Sequence, residues 1–315
     1  MTRLDLSGNP LGAIGREHFV NLTSLLQLRL SNMTLKEVDP AAFRQLRRLT
    51  ELDLSFNYLS SLPSAVLEPV AQTLEILRLD HNDLNLTSGI DGSLERLVNL
   101  KELSLGGNRN ASTIKLGSGF AGNLATLKKI SFAGNRIDKI EFDTFEVLRP
   151  RKQQKQLKKL PSLEELDLSY CNLTYIHPDA FQFLPPHSFR LLNLSFNPLL
   201  TQLDLGGHFH IRNILHGLEV VPSLKSLDLS GLGLTEVTNE TFDFLSTTGL
   251  TELRLSDNEL TEFDDALIGR DLPMLKKIDL SHNYVETVAG LESMTWLEEV
   301  LFGMGRVLDR EGVSC

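Results

Sequence analysis

The sequence predicts a solenoid: short strands carried by stacked copies of one repeat along 315 residues. Three observations predict it. The first is the stretch 49–57, LTELDLSFN, of the form Leu-x-x-Leu-x-Leu-x-x-Asn. This spacing puts Leu52 and Leu54 on one face of a strand and Glu51, Asp53 and Ser55 on the other. Two inward leucines cannot make a core alone, so copies must stack. The second is recurrence of the frame, with its first position at Met1, Leu25, Leu49, Leu74, Leu100, Leu127, Leu163, Phe189, Leu224, Leu250, Leu275 and Leu297. The steps are 24, 24, 25, 26, 27, 36, 26, 35, 26, 25 and 22 residues, so residues 1–315 read as a single array of about 12 repeats. The third is position 9, which is Asn9, Asn57, Asn82, Asn108, Asn135, Asn197, Asn258 and Asn283.

Each column has a physical reason. Where the chain leaves its strand, buried backbone groups lose ladder partners, and a carboxamide carries both a donor and an acceptor to replace them. Cys171 takes position 9 in one repeat and reads as a small buried residue with a structural role. Met33, Leu232 and Gly305 break the ladder, so the turns there are expected to be weaker. Position 19 is Phe19, Phe43, Phe145, Phe181 and Phe242, with Phe120 shifted by two residues and Leu67 and Ile268 as aliphatic substitutes. These side chains are expected to stack as a core spine under the convex side.

Two repeats are long. The insertion near 149–160 is basic, with Arg149, Arg151, Lys152, Lys155, Lys158 and Lys159. The insertion near 200–221 opens on LTQLDLGGH, which reads as an extra, incomplete frame. Ile211, Ile214, Leu215, Leu218 and Val221 then follow at helical spacing, predicting a short convex helix.

A net charge of −10 argues against a general nucleic-acid surface or an anionic membrane face. No run approaches the roughly 18 apolar residues of a membrane span, and no apolar segment follows Met1 as a signal peptide would. The two cysteines, Cys171 and Cys315, do not place the compartment. Asn-x-Ser/Thr triplets begin at Asn21, Asn32, Asn85, Asn110, Asn172, Asn193 and Asn239, and that number favours a secreted, glycosylated chain.

The frame LxxLxLxxNxLxxhxxxxFxxLxx, seen in LTELDLSFNYLSSLPSAVLEPV and LEELDLSYCNLTYIHPDAFQFL, resembles the typical subfamily of extracellular leucine-rich repeat proteins. That subfamily includes Toll-like receptor, chaoptin and Slit-type ectodomains, and the resemblance covers essentially the whole chain. It implies an α/β fold: a right-handed horseshoe solenoid with a concave parallel β-sheet and short convex helices or 3-10 turns. It implies binding of a macromolecule and no catalysis. The family's cysteine-rich caps are missing, so the chain is expected to be a fragment lacking its N- and C-terminal caps, with Cys315 as the start of a cap or a free thiol.

Positions 3, 5, 7 and 8 project away from the core and line the concave face. Glu51, Glu102, Glu165, Glu252 and Glu299 stand at position 3, and Asp5, Asp53, Asp167, Asp228 and Asp279 at position 5. These acids read either as a surface steering a basic partner or as the default text that keeps such a sheet soluble. The departures are the candidate ligand contacts: Arg29 and Arg78 at position 5, with Phe56, His81, Tyr170 and Phe196 at position 8. Exposed aromatics and arginines are the material of interface hot spots. Phe56, Arg78 and His81 are expected to lie together, and so are Tyr170 and Phe196. Asn193 at position 5 would place a glycan over the second pair, which favours the first.

The basic insertion is a weak candidate for heparan sulfate or another polyanion. His208, His210 and His216 near Asp204 match no metal-ligand spacing, and no nucleophile elbow, P-loop or paired-acid site stands out. No cofactor, metal or enzymatic activity is therefore expected. The expected function is recognition of a protein ligand or co-receptor on the concave face, by a segment of a secreted or cell-surface receptor or adhesion protein. The alternative is a cytoplasmic scaffold or regulatory subunit of the same fold.

Overall fold

The structure, a computed structural model, describes residues 1–86, 94, 96–108, 114, 126–148, 162–202, 211–237, 241–263, 272–285 and 296–301. The six cations of the basic insertion, Asn110, Asn239, Phe120, Ile268, Asp204, His208, His210, Gly305 and Cys315 lie outside the described residues.

Every frame places one three-residue strand at positions 3–5. The strands from Arg3–Asp5 to Glu299–Leu301 form one 12-stranded sheet in chain order. All its pairings are parallel and join equal frame positions, as in Leu28 to Leu52 to Leu77. That register fits the text: equal positions put every frame leucine on the same face, which a one-residue slip would reverse. Accordingly Leu28, Leu52, Leu77, Leu103, Ile130 and Leu166 are all buried beneath the sheet.

The return path is built from turns, two-residue strand pairs such as Ala13–Ile14 with Glu37–Val38, and short helices. Phe19 stacks on Phe43 and Phe145 on Phe181, each with ring centroids 6.0 Å apart, and all four are buried. Leu67 and Phe242 are buried too.

The second insertion holds an α-helix at Ile211–Leu215 continued by a 3-10 turn at His216–Val220. Ile211, Ile214, Leu215, Leu218 and Val221 are buried. Gly217 lets this turn pack against the backbone of the preceding repeat, since a Cβ there would lie 2.7 Å from the Gln182 nitrogen. LTQLDLGGH adds no strand to the sheet, and its residues 203–208 lie outside the described residues. Leu199–Gln202 is helical, and Leu191–Asn193 pairs directly with Ser226–Asp228, leaving no strand between them.

The asparagine column is a hydrogen-bonded ladder, interrupted at Met33, Cys171 and Leu232. Asn57 Nδ2 donates to the carbonyls of Leu30 and Leu54, both at 2.9 Å, and its Oδ1 accepts the N–H groups of Met33 and Leu35, both at 3.0 Å. Asn197 and Asn258 repeat that pattern. Where two successive repeats carry Asn, the position-6 carbonyl between them has two carboxamide donors, its own and that of the next repeat. Leu54, for example, receives both Asn57 and Asn82.

Breaks in the ladder cost less than the sequence suggests. Met33 and Leu232 supply no carboxamide, yet their own N–H groups reach Asn57 and Asn258. The carbonyls of Leu194 and Leu229 beside the second break keep Asn197 and Asn258 respectively. One donor is lost from each and none of these groups is stranded.

Candidate functional site

The outer face of the sheet carries rows of side chains in the same register as the backbone. Position 5 runs Arg29, Asp53, Arg78 across three neighbouring strands. Glu51, at position 3 of the middle strand, lies between the two arginines. Arg78 donates to it at 2.7 Å and Arg29 stands 3.6 Å away. Glu51 is only 7% exposed although it is on the sheet's outer face. A carboxylate this enclosed needs a charged donor to offset lost hydration. Arg29 and Arg78 are therefore held in place by a shared anion while their heads stay partly open.

Most other charges on the face are also engaged locally. Lys129 pairs with Glu165 at 2.8 Å, Lys277 with Glu299 at 2.6 Å and Arg254 with Glu252 at 2.7 Å. The position-5 acids do a second job, accepting the N–H of the serine two residues on. Asp53 takes Ser55 at 2.9 Å, and Asp167, Asp228 and Asp279 take Ser169, Ser230 and Ser281 at 3.0 Å. At Asp5 the Ser7 hydroxyl and amide hold the carboxyl below the usual carboxylate range. These bonds close the strand's exit with a side-chain turn. They favour a structural reading of the acids over a steering field.

Position 8 has a constraint of its own. Among the described residues every position 8 has positive φ: Gly8, Asn32, Phe56, His81, Gly107, Gly134, Tyr170, Phe196, Gly231, Asp257 and His282. The turn forces the left-handed region, which explains the glycines. A ring there carries backbone strain and is justified by what it does. Phe56 stacks on His81 with centroids 4.3 Å apart and planes at 18°. The His81 ring in turn covers Gly107, where a Cβ would lie 2.5 Å from Nδ1. Tyr170 stacks on Phe196 at 4.4 Å and 9°, and Phe196 covers Gly231 in the same way. Phe56 and Tyr170 remain 55% and 56% exposed.

The candidate contacts therefore sort into three units: Arg29 with Arg78 around Glu51 on the sheet, Phe56 with His81 at its rim, and Tyr170 with Phe196 further along the rim. Arg78 donates to Glu51, and Phe56 and His81 stack on each other. On sequence alone Glu51 reads as one of a row of acids, either steering a basic partner or default text, and not as the anchor of two arginines. Its position between two position-5 arginines was the available signal. Asn193 does stand on the sheet, its Oδ1 accepting the Ser195 N–H at 3.0 Å. Asn32 occupies position 8 one repeat before Phe56, so each ring pair has a sequon close by.

Cys171 is buried in the ladder, its Sγ 3.2 Å from the Phe132 carbonyl, and burial pushes its thiol up to about 12. His216 faces Asp179 at 3.4 Å. Among the described residues no three His, Cys, Asp or Glu side chains group to hold a metal ion, and no helix is long and apolar enough to cross a membrane.

The family model described as "Leucine rich repeat" matches residues 1–59, 153–199 and 222–285, more than half of the chain. CD180 antigen of Mus musculus is 27% identical over 272 residues, covering 81% of this chain and 38% of CD180. Among solved structures, the TLR13–ssRNA13 complex aligns with TM-score 0.67 and 24% identity over 95% of this chain and 43% of that one. The Drosophila Toll–Spatzle complex aligns with TM-score 0.64 and 21% identity over 96% of this chain and 36% of that one. The chain thus spans less than half the length of each of these relatives.

Proposed function

The chain belongs to the leucine-rich repeat family, and from that premise we propose that it recognises a protein ligand on the concave face of its N-terminal third, as a segment of a cell-surface or secreted receptor or adhesion protein. It acts by binding and carries out no chemistry.

One observation carries this reading. Arg29 and Arg78 are pre-positioned by Glu51 on an open sheet, and a rigid, exposed Phe56 stands at its rim. Side chains ordered before the encounter lose little entropy in it, and Arg beside an aromatic is a hot-spot pairing. The Tyr170–Phe196 pair is the less favoured contact, because a glycan on Asn193 would stand over that part of the sheet. A protein is favoured over RNA by the net charge of −10 and by cations already engaged with sheet acids. Toll with Spatzle shows a protein bound by a chain of this fold.

The test uses glycans as wedges. Glu102→Asn places an Asn-Leu-Ser triplet on the sheet two strands beyond Glu51. Protein secreted from animal cells is screened against displayed ectodomains and secreted proteins. Partners that bind the parent chain should lose the Glu102→Asn and Arg78→Ala variants. Binding that survives both substitutions moves the contact off this face and sinks the proposal.

A further inference from the structure

We propose that Asn172 carries an N-glycan whose first N-acetylglucosamine packs against the open face of the Tyr170 ring, so that one rim stack is completed by sugar. The inference requires only that the chain enters the secretory route.

Three facts converge on this turn. Tyr170 and Asn172 are two residues apart, both are exposed, and both hold left-handed backbone, with φ of 55° and 57°. Thr174 completes the triplet. One face of the Tyr170 ring is covered by Phe196, nearly parallel at 9°. Position 8 of the preceding repeat offers no side chain to the other face, because it is Gly134. A Cβ built on Gly134 would meet only the Gly107 backbone, at 3.7 Å. The pair therefore presents a flat, electron-rich surface beside an exposed carboxamide.

A pyranose suits that surface. One face of N-acetylglucosamine carries axial C–H groups of partial positive charge, which an aromatic face attracts, and its apolar area is removed from water on contact. The sugar is tethered within two residues, so the encounter costs little entropy. A strained left-handed Tyr, instead of the glycine found at Gly107, Gly134 and Gly231, gains a purpose from it.

The other sequons serve as internal controls. Only Asn21 and Asn172 have an aromatic residue two places before them, and the one before Asn21 is Phe19, 1% exposed in the core. Asn32, Asn85 and Asn193 follow Leu30, Asp83 and Leu191 at that spacing. The stabilising contact is therefore specific to Asn172.

The experiment is a thermal double-mutant cycle on protein secreted from animal cells with glycans trimmed to a single N-acetylglucosamine. The four proteins are the parent, Tyr170→Ala, Asn172→Gln and the double variant, with Tyr170→Phe added as the form that keeps the ring. Peptide mapping reports occupancy. The expected result is that Asn172→Gln lowers Tm by about 2 °C in the parent and in Tyr170→Phe, and leaves Tyr170→Ala unchanged. After complete deglycosylation the coupling should vanish. Additive effects, coupling that persists without sugar, or an empty Asn172 on a chain glycosylated elsewhere would each overturn the proposal. A chain with no occupied sequon would overturn both this and the extracellular reading. If Tyr170→Ala does not fold, Tyr170→Leu replaces it and the same coupling should be lost.

Discussion

Arg78 reaches across one strand boundary to place its guanidinium 2.7 Å from the Glu51 carboxylate. Glu51 cannot regain full hydration in the folded state, so removing its main partner leaves an enclosed charge. We expect Arg78→Ala to cost about 1 kcal/mol, a value moderated by the open side of Arg78. Arg29→Ala, removing the partner at 3.6 Å, should cost less. Adding Glu51→Gln to Arg78→Ala should recover most of the loss in urea unfolding. A double variant as unstable as the sum of its parts would show that the pair is not coupled.

The ladder predicts a contrast between neighbours. Asn57→Leu strands the buried N–H groups of Met33 and Leu35, at about 1–3 kcal/mol for each. Asp53→Asn keeps an oxygen for the Ser55 N–H, as Asn193 does for Ser195, and should stay within about 0.5 kcal/mol of the parent. Equal denaturation midpoints for the two variants would refute the ladder.

Cys171 offers one substitution that should stabilise and one pH dependence. Cys171→Asn gives the Phe132 and Leu168 carbonyls a carboxamide donor, while the Ile137 N–H keeps the backbone carbonyl of residue 171, and should raise stability by about 0.5–1 kcal/mol in urea. The thiol's proton is held to about 12 in the fold, against 9.0 for an ordinary thiol, because burial penalises the thiolate. The unfolded chain therefore ionises first, and stability falls as pH rises from 9.0 towards 12. At about pH 10 this contributes a loss of about 1.4 kcal/mol relative to about pH 8. Cys171→Ala should lack that component, so the parent's unfolding free energy should drop by more over the interval.

Gly107 and Gly134 separate backbone strain from ring packing. Both have positive φ, so an Ala at either costs about 1–2 kcal/mol. At Gly107 the added Cβ also meets the His81 ring, whereas at Gly134 it meets no side chain. Gly107→Ala should be the more damaging, and His81→Ala should bring it back to the level of Gly134→Ala. Differential scanning calorimetry decides this.

The strands and their register were legible because each frame is short, repeated and amphipathic. A one-residue slip would expose Leu52 and Leu54. The convex helix at Ile211–Leu215 was legible from its buried spacing. LTQLDLGGH misled because local text cannot say whether a neighbouring strand has room. The sheet joins Leu191–Asn193 to Ser226–Asp228 without it. At the site, the alternation of glycine and bulky residues at position 8 was visible, but its cause is a left-handed turn. The Arg78–Glu51 pairing depends on adjacency between repeats, and appears only when frames are laid side by side in register.

The two longest repeats show where this architecture can grow. Steps of 36 and 35 residues separate Lys129–Ser131 from Glu165–Asp167 and Leu191–Asn193 from Ser226–Asp228, yet both junctions keep equal-position pairing. The carboxamide ladder crosses neither junction, because position 9 beyond them is Cys171 and Leu232; Cys171 instead brings its Sγ to 3.2 Å from the Phe132 carbonyl. The sheet reads only the strand positions of each repeat, so extra length between two strands does not alter their register. Repeat length and sheet register are thereby independent variables. A chain of this plan can gain residues between strands without redrawing the sheet face.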